Sequence, residues 1–114
     1  MLFRSLSLGY IDRDVDFCGE TYGIRTLTGE EELLASLVAK PYLESFGQLK
    51  AWAWANVGIA LIHVNGDTDF CPPTSPDSKA FAQARFRHVT KWFWPVGEVL
   101  FEEFKGLEIG RAHV

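Results

Sequence analysis

The chain has 114 residues and a formal net charge of −4, with 47% hydrophobic and 23% charged residues. This is the balance of one globular domain with a modest core, and it excludes a disordered tail. The acidic surplus also argues against general nucleic-acid binding, because phosphate contact needs a basic surface.

Met1-Leu2-Phe3-Arg4-Ser5 and Glu108-Ile109-Gly110-Arg111-Ala112-His113-Val114 read as the translation of one sequencing adapter in its two orientations. Residues 1–5 and 108–114 are therefore expected to be library scars and are set aside from fold reasoning. The natural segment is expected at 6–107, without its true start and stop. The scar residues are expected to pack little, although Glu108 and Ile109 can extend a preceding helix.

Tyr10 to Cys18 alternates, with Ile11, Arg13, Val15 and Phe17 on one face and Asp12, Asp14 and Asp16 on the other. Period two with a polar row is the pattern of a half-buried strand. Cys18-Gly19-Glu20-Thr21 supplies a turn in which Gly19 is free to take positive φ. Tyr22 to Leu27 alternates again, placing Tyr22, Ile24 and Thr26 together. The pair predicts a β-hairpin over about 10–27, with Arg25 near the aspartate row.

Thr28-Gly29-Glu30-Glu31 is a capping box, and Glu30 to Glu32 favour the positive end of a helix dipole. A helix is predicted over 29–39, with Leu33/Leu37 and Leu34/Val38 as its core stripe. Pro41 ends it and opens a second helix, predicted to run to about Val64. From Ala51 on, that helix is apolar nearly all round, so it is expected to be central and buried. Asn65-Gly66 is read as its C-cap. At 14 residues, the Ala51–Val64 run is also shorter than the ~20 a membrane span needs.

Pro72-Pro73 forbids helix, and Ser75-Pro76-Asp77 restarts one. A third helix is predicted over 76–104, kinked or briefly broken near Trp94 by Pro95. The fold class is thus α+β: an N-terminal β-hairpin followed by three α-helices.

No catalytic constellation emerges. His63, Asp67, Asp69 and Cys71 match no zinc spacing, and the segment lacks the oxygen ladder and terminal glutamate of a calcium loop. Cys71 with His63 or His88 lacks an orienting third group. Cys18 and Cys71 lie far apart, outside any C-x-x-C pattern, and read as reduced thiols. Lys79, Arg85, Arg87, His88 and Lys91 read as a solvated helix face. The aromatic surplus is the feature left over. Trp52 and Trp54 face different sides of one helix, and Trp92-Phe93-Trp94 spreads three rings around another. Core packing and a partner surface both account for Trp52, Trp54, Trp92, Phe93 and Trp94.

Three stretches carry a resemblance. Tyr22-Gly23-Ile24-Arg25-Thr26-Leu27-Thr28-Gly29-Glu30-Glu31-Glu32 resembles the opening of phage tail assembly chaperones, in which R-x-L-T/S-x-x-E leads from a short sheet into a helix. Lys50 to Asp67, read as an apolar helix ending in V-[ND]-G-D, is similar to the second helix of that group. Pro72 to Glu98, with Arg85-Phe86 and Trp92-Phe93-Trp94-Pro95, also looks like its members. The motifs are loose and none is catalytic. The resemblance implies a non-enzymatic helper of virion morphogenesis in the host cytoplasm, absent from the mature virion, that coats the tape measure protein before tube subunits assemble. It implies the tape measure protein as partner, with the tail tube protein or a second copy of the chain as further ones. No nucleic acid, membrane, metal or cofactor is expected. A structural virion component (tail, connector or baseplate-hub assembly protein) and a small DNA-associated regulator are the alternative readings.

Overall fold

The computed structural model describes residues 11–42, 47–71 and 78–112, with side chains described as far as 109. Strands β1 (Asp12–Phe17) and β2 (Glu20–Arg25) form the expected hairpin, with Val15 opposite Tyr22 and Asp14 opposite Gly23. The turn is only two residues long. Cys18 (φ 53°) and Gly19 (φ 81°) both lie in the left-handed region, the geometry of a type I′ connection. Val15, Tyr22 and Ile24 are buried on the inner face, while Asp14 and Asp16 stay in solvent.

Helix α1 (Gly29–Ala39) starts where the capping box places it. Thr28 Oγ1 accepts from Glu31 N at 3.2 Å, and Glu31 Oε1 accepts from Thr28 N at 2.9 Å. Arg25 lies opposite Asp12 of the aspartate row in the hairpin register. Its guanidinium makes a bidentate pair with Glu31, at 2.8 and 2.7 Å, and so fastens β2 to the first turn of α1. Burial alone would raise the Glu31 carboxyl, but the Arg25 and Thr28 bonds outweigh it and hold the group below its ordinary range. The core stripe of α1 differs from expectation. Ala35, Val38 and Ala39 are buried, whereas Leu33 and Leu37 are 68% and 51% exposed.

A 3-10 turn (Lys40–Tyr42) follows, and Leu43 to Phe46, expected to begin the second helix, lie outside the described residues. Helix α2 (Gln48–Ala60) is buried at every residue from Ala53 to Ala60. It packs against α1, against β2 and against both later helices. It does not continue to Val64. Leu61 turns extended (φ −65°, ψ 130°), and Leu61–Val64 is a third strand, β3, antiparallel to β2. Asn65-Gly66 is accordingly not a helix C-cap. Both residues are left-handed (φ 54° and 83°) and form a tight turn, closed by Asp67 N to Val64 O at 3.0 Å and Val64 N to Asp67 O at 3.1 Å.

Two contacts explain why the helix yields to a strand. Arg85 Nη1 donates to Gly58 O (3.0 Å) and Leu61 O (2.8 Å), supplying donors to carbonyls at the helix end. Its guanidinium lies between the rings of Phe70 and Phe81, 4.6 and 4.7 Å from their centroids. At Gly23 the missing side chain leaves room for the His63 ring, which a Cβ would meet at 2.4 Å. His63 therefore crosses the middle strand and reaches Asp14 Oδ1 on β1 at 2.9 Å. The sheet order is β1-β2-β3.

The expected third helix is two helices, α3 (Ser78–Val89) and α4 (Trp94–Ala112), so the described residues carry four. The chain breaks at Thr90–Phe93, and Pro95 sits in the first turn of α4, where its missing N–H costs no hydrogen bond. The Ser75-Pro76-Asp77 cap lies outside the described residues. Helix α4 covers the inner face of the hairpin, and Arg13 pairs with Glu103 at 2.7 Å. The fold is α+β, a three-stranded antiparallel sheet with α2 at the centre of the helices.

Candidate functional site

The five singled-out aromatics do not converge. Trp54 is 7% exposed and meets Trp94 and Trp92 edge-on, with centroids 5.7 and 6.5 Å away. Trp92 in turn contacts Tyr22 (5.6 Å) and His88 (5.8 Å). Trp54, Trp92 and Trp94 are thus one packed cluster joining α2 to the sheet and to the α3–α4 junction. Edge-to-face geometry of this kind adds about 0.5–1.5 kcal/mol per pair beyond area burial. Phe93 stands apart at the helix break and is 84% exposed.

Trp52 goes the other way. Two residues from Trp54, it points between α1 and α4, remains 43% exposed, and leans edge-on against Phe101 at 5.4 Å. Phe101 stacks on Phe104 at 6.2 Å. Leu33 of α1 and Ile109 of α4 (61% exposed) complete an open groove of about 580 Å³. Its floor is Trp52 and Asn56, and its walls include Leu33 and Ser36 on one side and Phe101, Phe104 and Ile109 on the other. Asn56 is kept from spoiling the apolar floor because its amide donates to Trp52 O within the helix.

Charge is uneven along this groove. Glu108 Oε1 accepts from Leu27 N at 3.1 Å, placing the start of α1 beside the end of α4. Gly29, Glu32, Lys105 and Glu108 line the groove. The Lys105 ammonium is 2.9 Å from Glu102 and 5.1 Å above the Phe101 ring.

Of the groove residues, sequence reasoning singled out Trp52 alone as a candidate for partner binding. Leu33 and Leu37 were legible as an apolar stripe, and only their solvent exposure was not. Phe101 and Phe104 stand three apart on α4, a spacing that signals a second apolar wall.

The remaining clusters serve structure. Both nitrogens of His63 are engaged, Nε2 with Asp14 and Nδ1 accepting from Gly66 N at 3.0 Å. Asp67 Oδ1 accepts from Asp69 N, an Asx turn. Among the described residues no group of three or more His, Cys, Asp or Glu is placed to hold a metal ion. The basic stretch of α3 is split, since Arg85 turns inward while Lys79, Arg87 and Lys91 are exposed. Among the described residues no helix is long and apolar enough to cross a membrane. No family model, curated protein or solved structure matches the chain.

Proposed function

We propose that the chain is a tail assembly chaperone that holds amphipathic helices of the tape measure protein, as the resemblance of its Arg25–Glu31 stretch implies. The observation that carries this reading is the open apolar groove between α1, α2 and α4, with Leu33 and Trp52 exposed along it and Phe101 and Phe104 in its lining. Its volume of about 580 Å³ suits a few large side chains presented at helical spacing. Affinity would rest on those few buried anchors, and many modest sites along one long client would act together through effective concentration. The client is released when tube subunits assemble, so the protein is expected in the host cytoplasm and not in finished particles.

Trp52→Ala tests this directly. The variant is expected to keep its fold, losing about 1 kcal/mol or less for a half-exposed ring. Capture of tape measure helices should fall about tenfold or more, the scale of an interface hot spot. Unchanged capture by a folded Trp52→Ala protein would remove the groove from the reading. Finding the protein in purified mature particles would favour a structural virion component instead.

A further inference from the structure

We infer that Asn65 is a site of spontaneous deamidation that the turn after β3 holds closed, and that its conversion to a carboxylate unlatches β3 from β2. Asn65 is followed by Gly66, which has no side chain to hinder attack by its own nitrogen on the amide before it. In the reaction the Gly66 nitrogen gives its proton to solvent and bonds to Asn65 Cγ. The Cγ–Nδ2 bond breaks, and Nδ2 leaves as ammonia. Water then opens the cyclic imide at either carbonyl and leaves aspartate or isoaspartate. Asn65 and Gly66 are both exposed, so water reaches the pair.

Both reacting groups are occupied in the folded turn. Gly66 N donates to His63 Nδ1 at 3.0 Å, so deprotonation would uncover a lone pair aimed at the imidazole and not at Cγ. His63 is itself fixed from its other nitrogen, which lies 2.9 Å from Asp14 Oδ1. Asn65 Oδ1 accepts from Thr21 N at 2.8 Å, and Nδ2 donates to a Glu20 carboxylate oxygen, which turns the amide toward β2. Asn65 N donates to Thr21 O at 2.6 Å, so the backbone holds the same position. Ring closure therefore waits on local opening of the turn. The product reverses one of these contacts. A carboxylate at position 65 can still accept from Thr21 N, but it has no proton for Glu20 and meets it as like charge. Isoaspartate also lengthens the backbone inside a turn closed by the paired Val64–Asp67 hydrogen bonds. Strand β3 has only four residues, so little else keeps it on β2.

The test ages the full chain in mildly alkaline buffer and follows Asn65 by peptide mapping and mass spectrometry. Asn65 is expected to convert about tenfold or more slowly in the folded chain than in the same chain unfolded in urea, as for a group that reacts only on local opening. Equal rates in the two states would overturn the inference. His63→Ala, which frees Gly66 N, should bring the folded rate back toward the unfolded one while its melting transition stays cooperative. A rate unchanged or slowed in folded His63→Ala would also overturn it, the second result making the imidazole a base and not a clamp. The product is tested separately by Asn65→Asp, a residue type that tolerates the left-handed conformation. Amide exchange of β3 is expected to quicken about two- to fivefold in that variant, the scale of a surface charge contact. Adding Glu20→Gln, which restores a donor to the pair, should reverse most of the change. Exchange in Asn65→Asp equal to that of the wild type would overturn the unlatching.

Discussion

Trp52 and Trp54 are the same residue type, two positions apart on one helix, and they do opposite things. A step of two on an α-helix turns about 200°, so one ring enters the cluster with Trp92 and Trp94 while the other borders an open groove. The aromatic surplus is therefore two assemblies. One closes the seam between α2, the sheet and the α3–α4 junction, where each ring has a partner and little water. The other leaves ring faces in solvent, with Leu33 and Ile109 beside them and no segment of the described chain over them. Richness in aromatics says little about binding until each ring is placed on its side of the helix.

The sharpest way to break this contrast is to remove the enclosed ring. Trp54→Ala is expected to cost about 3–5 kcal/mol, the cost of emptying a packed aromatic site, as read from denaturant midpoints. A loss near that of Trp52→Ala would mean the two rings are equivalent and the division is wrong. Next in size comes Gly97→Ala. A Cβ there would lie 2.6 Å from Cη2 of Trp54, so the ring must move within walls formed by Trp92 and Trp94. Overpacking of this kind costs about 1–3 kcal/mol. The penalty should shrink in a Trp54→Phe background, where the outer ring atoms are gone, and that double-mutant coupling identifies the contact. Gly97→Ala should leave client capture by the folded fraction unchanged, because the groove lies on the far side of α2.

Much of this architecture was legible locally. Period-two runs around Val15 and Ile24, and the Thr28–Glu31 box, depend on near neighbours in sequence, and the hairpin and α1 form where those signals lie. Leu61–Val64 was not legible as a strand. Ala51–Val64 is apolar but for Asn56 and His63 and lacks a clear period, and such runs fit helix and buried strand alike. Asn65-Gly66 suits a helix C-cap and a type I′ hairpin turn equally well. The choice is made by Gly23 and Arg85, distant residues that admit His63 and satisfy the carbonyls of Gly58 and Leu61. Pro95 announced a break but not its length, since Thr90–Phe93 leave the helix to place Trp92 against Tyr22. The groove was half legible. Trp52 was singled out, but sequence cannot show that the stripe of Leu33 and Leu37 lacks a covering neighbour.

The smallest effect comes from His88, which edges the enclosed cluster through contacts with Trp92 and Phe70, both at 5.8 Å. Burial holds its imidazole below the usual histidine range, and the charges of Lys91 and Arg85 push in the same direction. The folded state thus favours the neutral ring, and on acidification the unfolded chain takes up the proton first. Stability is complete above the ordinary histidine pKa of about 6.5 and declines as pH falls through it toward the lower folded value, where the loss levels off. Among the described residues no histidine lines the groove, so acidification should loosen the closed assembly and leave the open one alone. Melting temperatures of the wild type and His88→Gln between pH 8 and pH 5 provide the measurement. The wild type is expected to be the more stable at pH 8, because the ring contacts are intact, and the gap should narrow toward pH 5. Other titrating groups are common to both proteins and drop out of the difference. Parallel curves would mean that the fold does not resist protonation of His88, and that the cluster is less closed on that side than its ring contacts indicate.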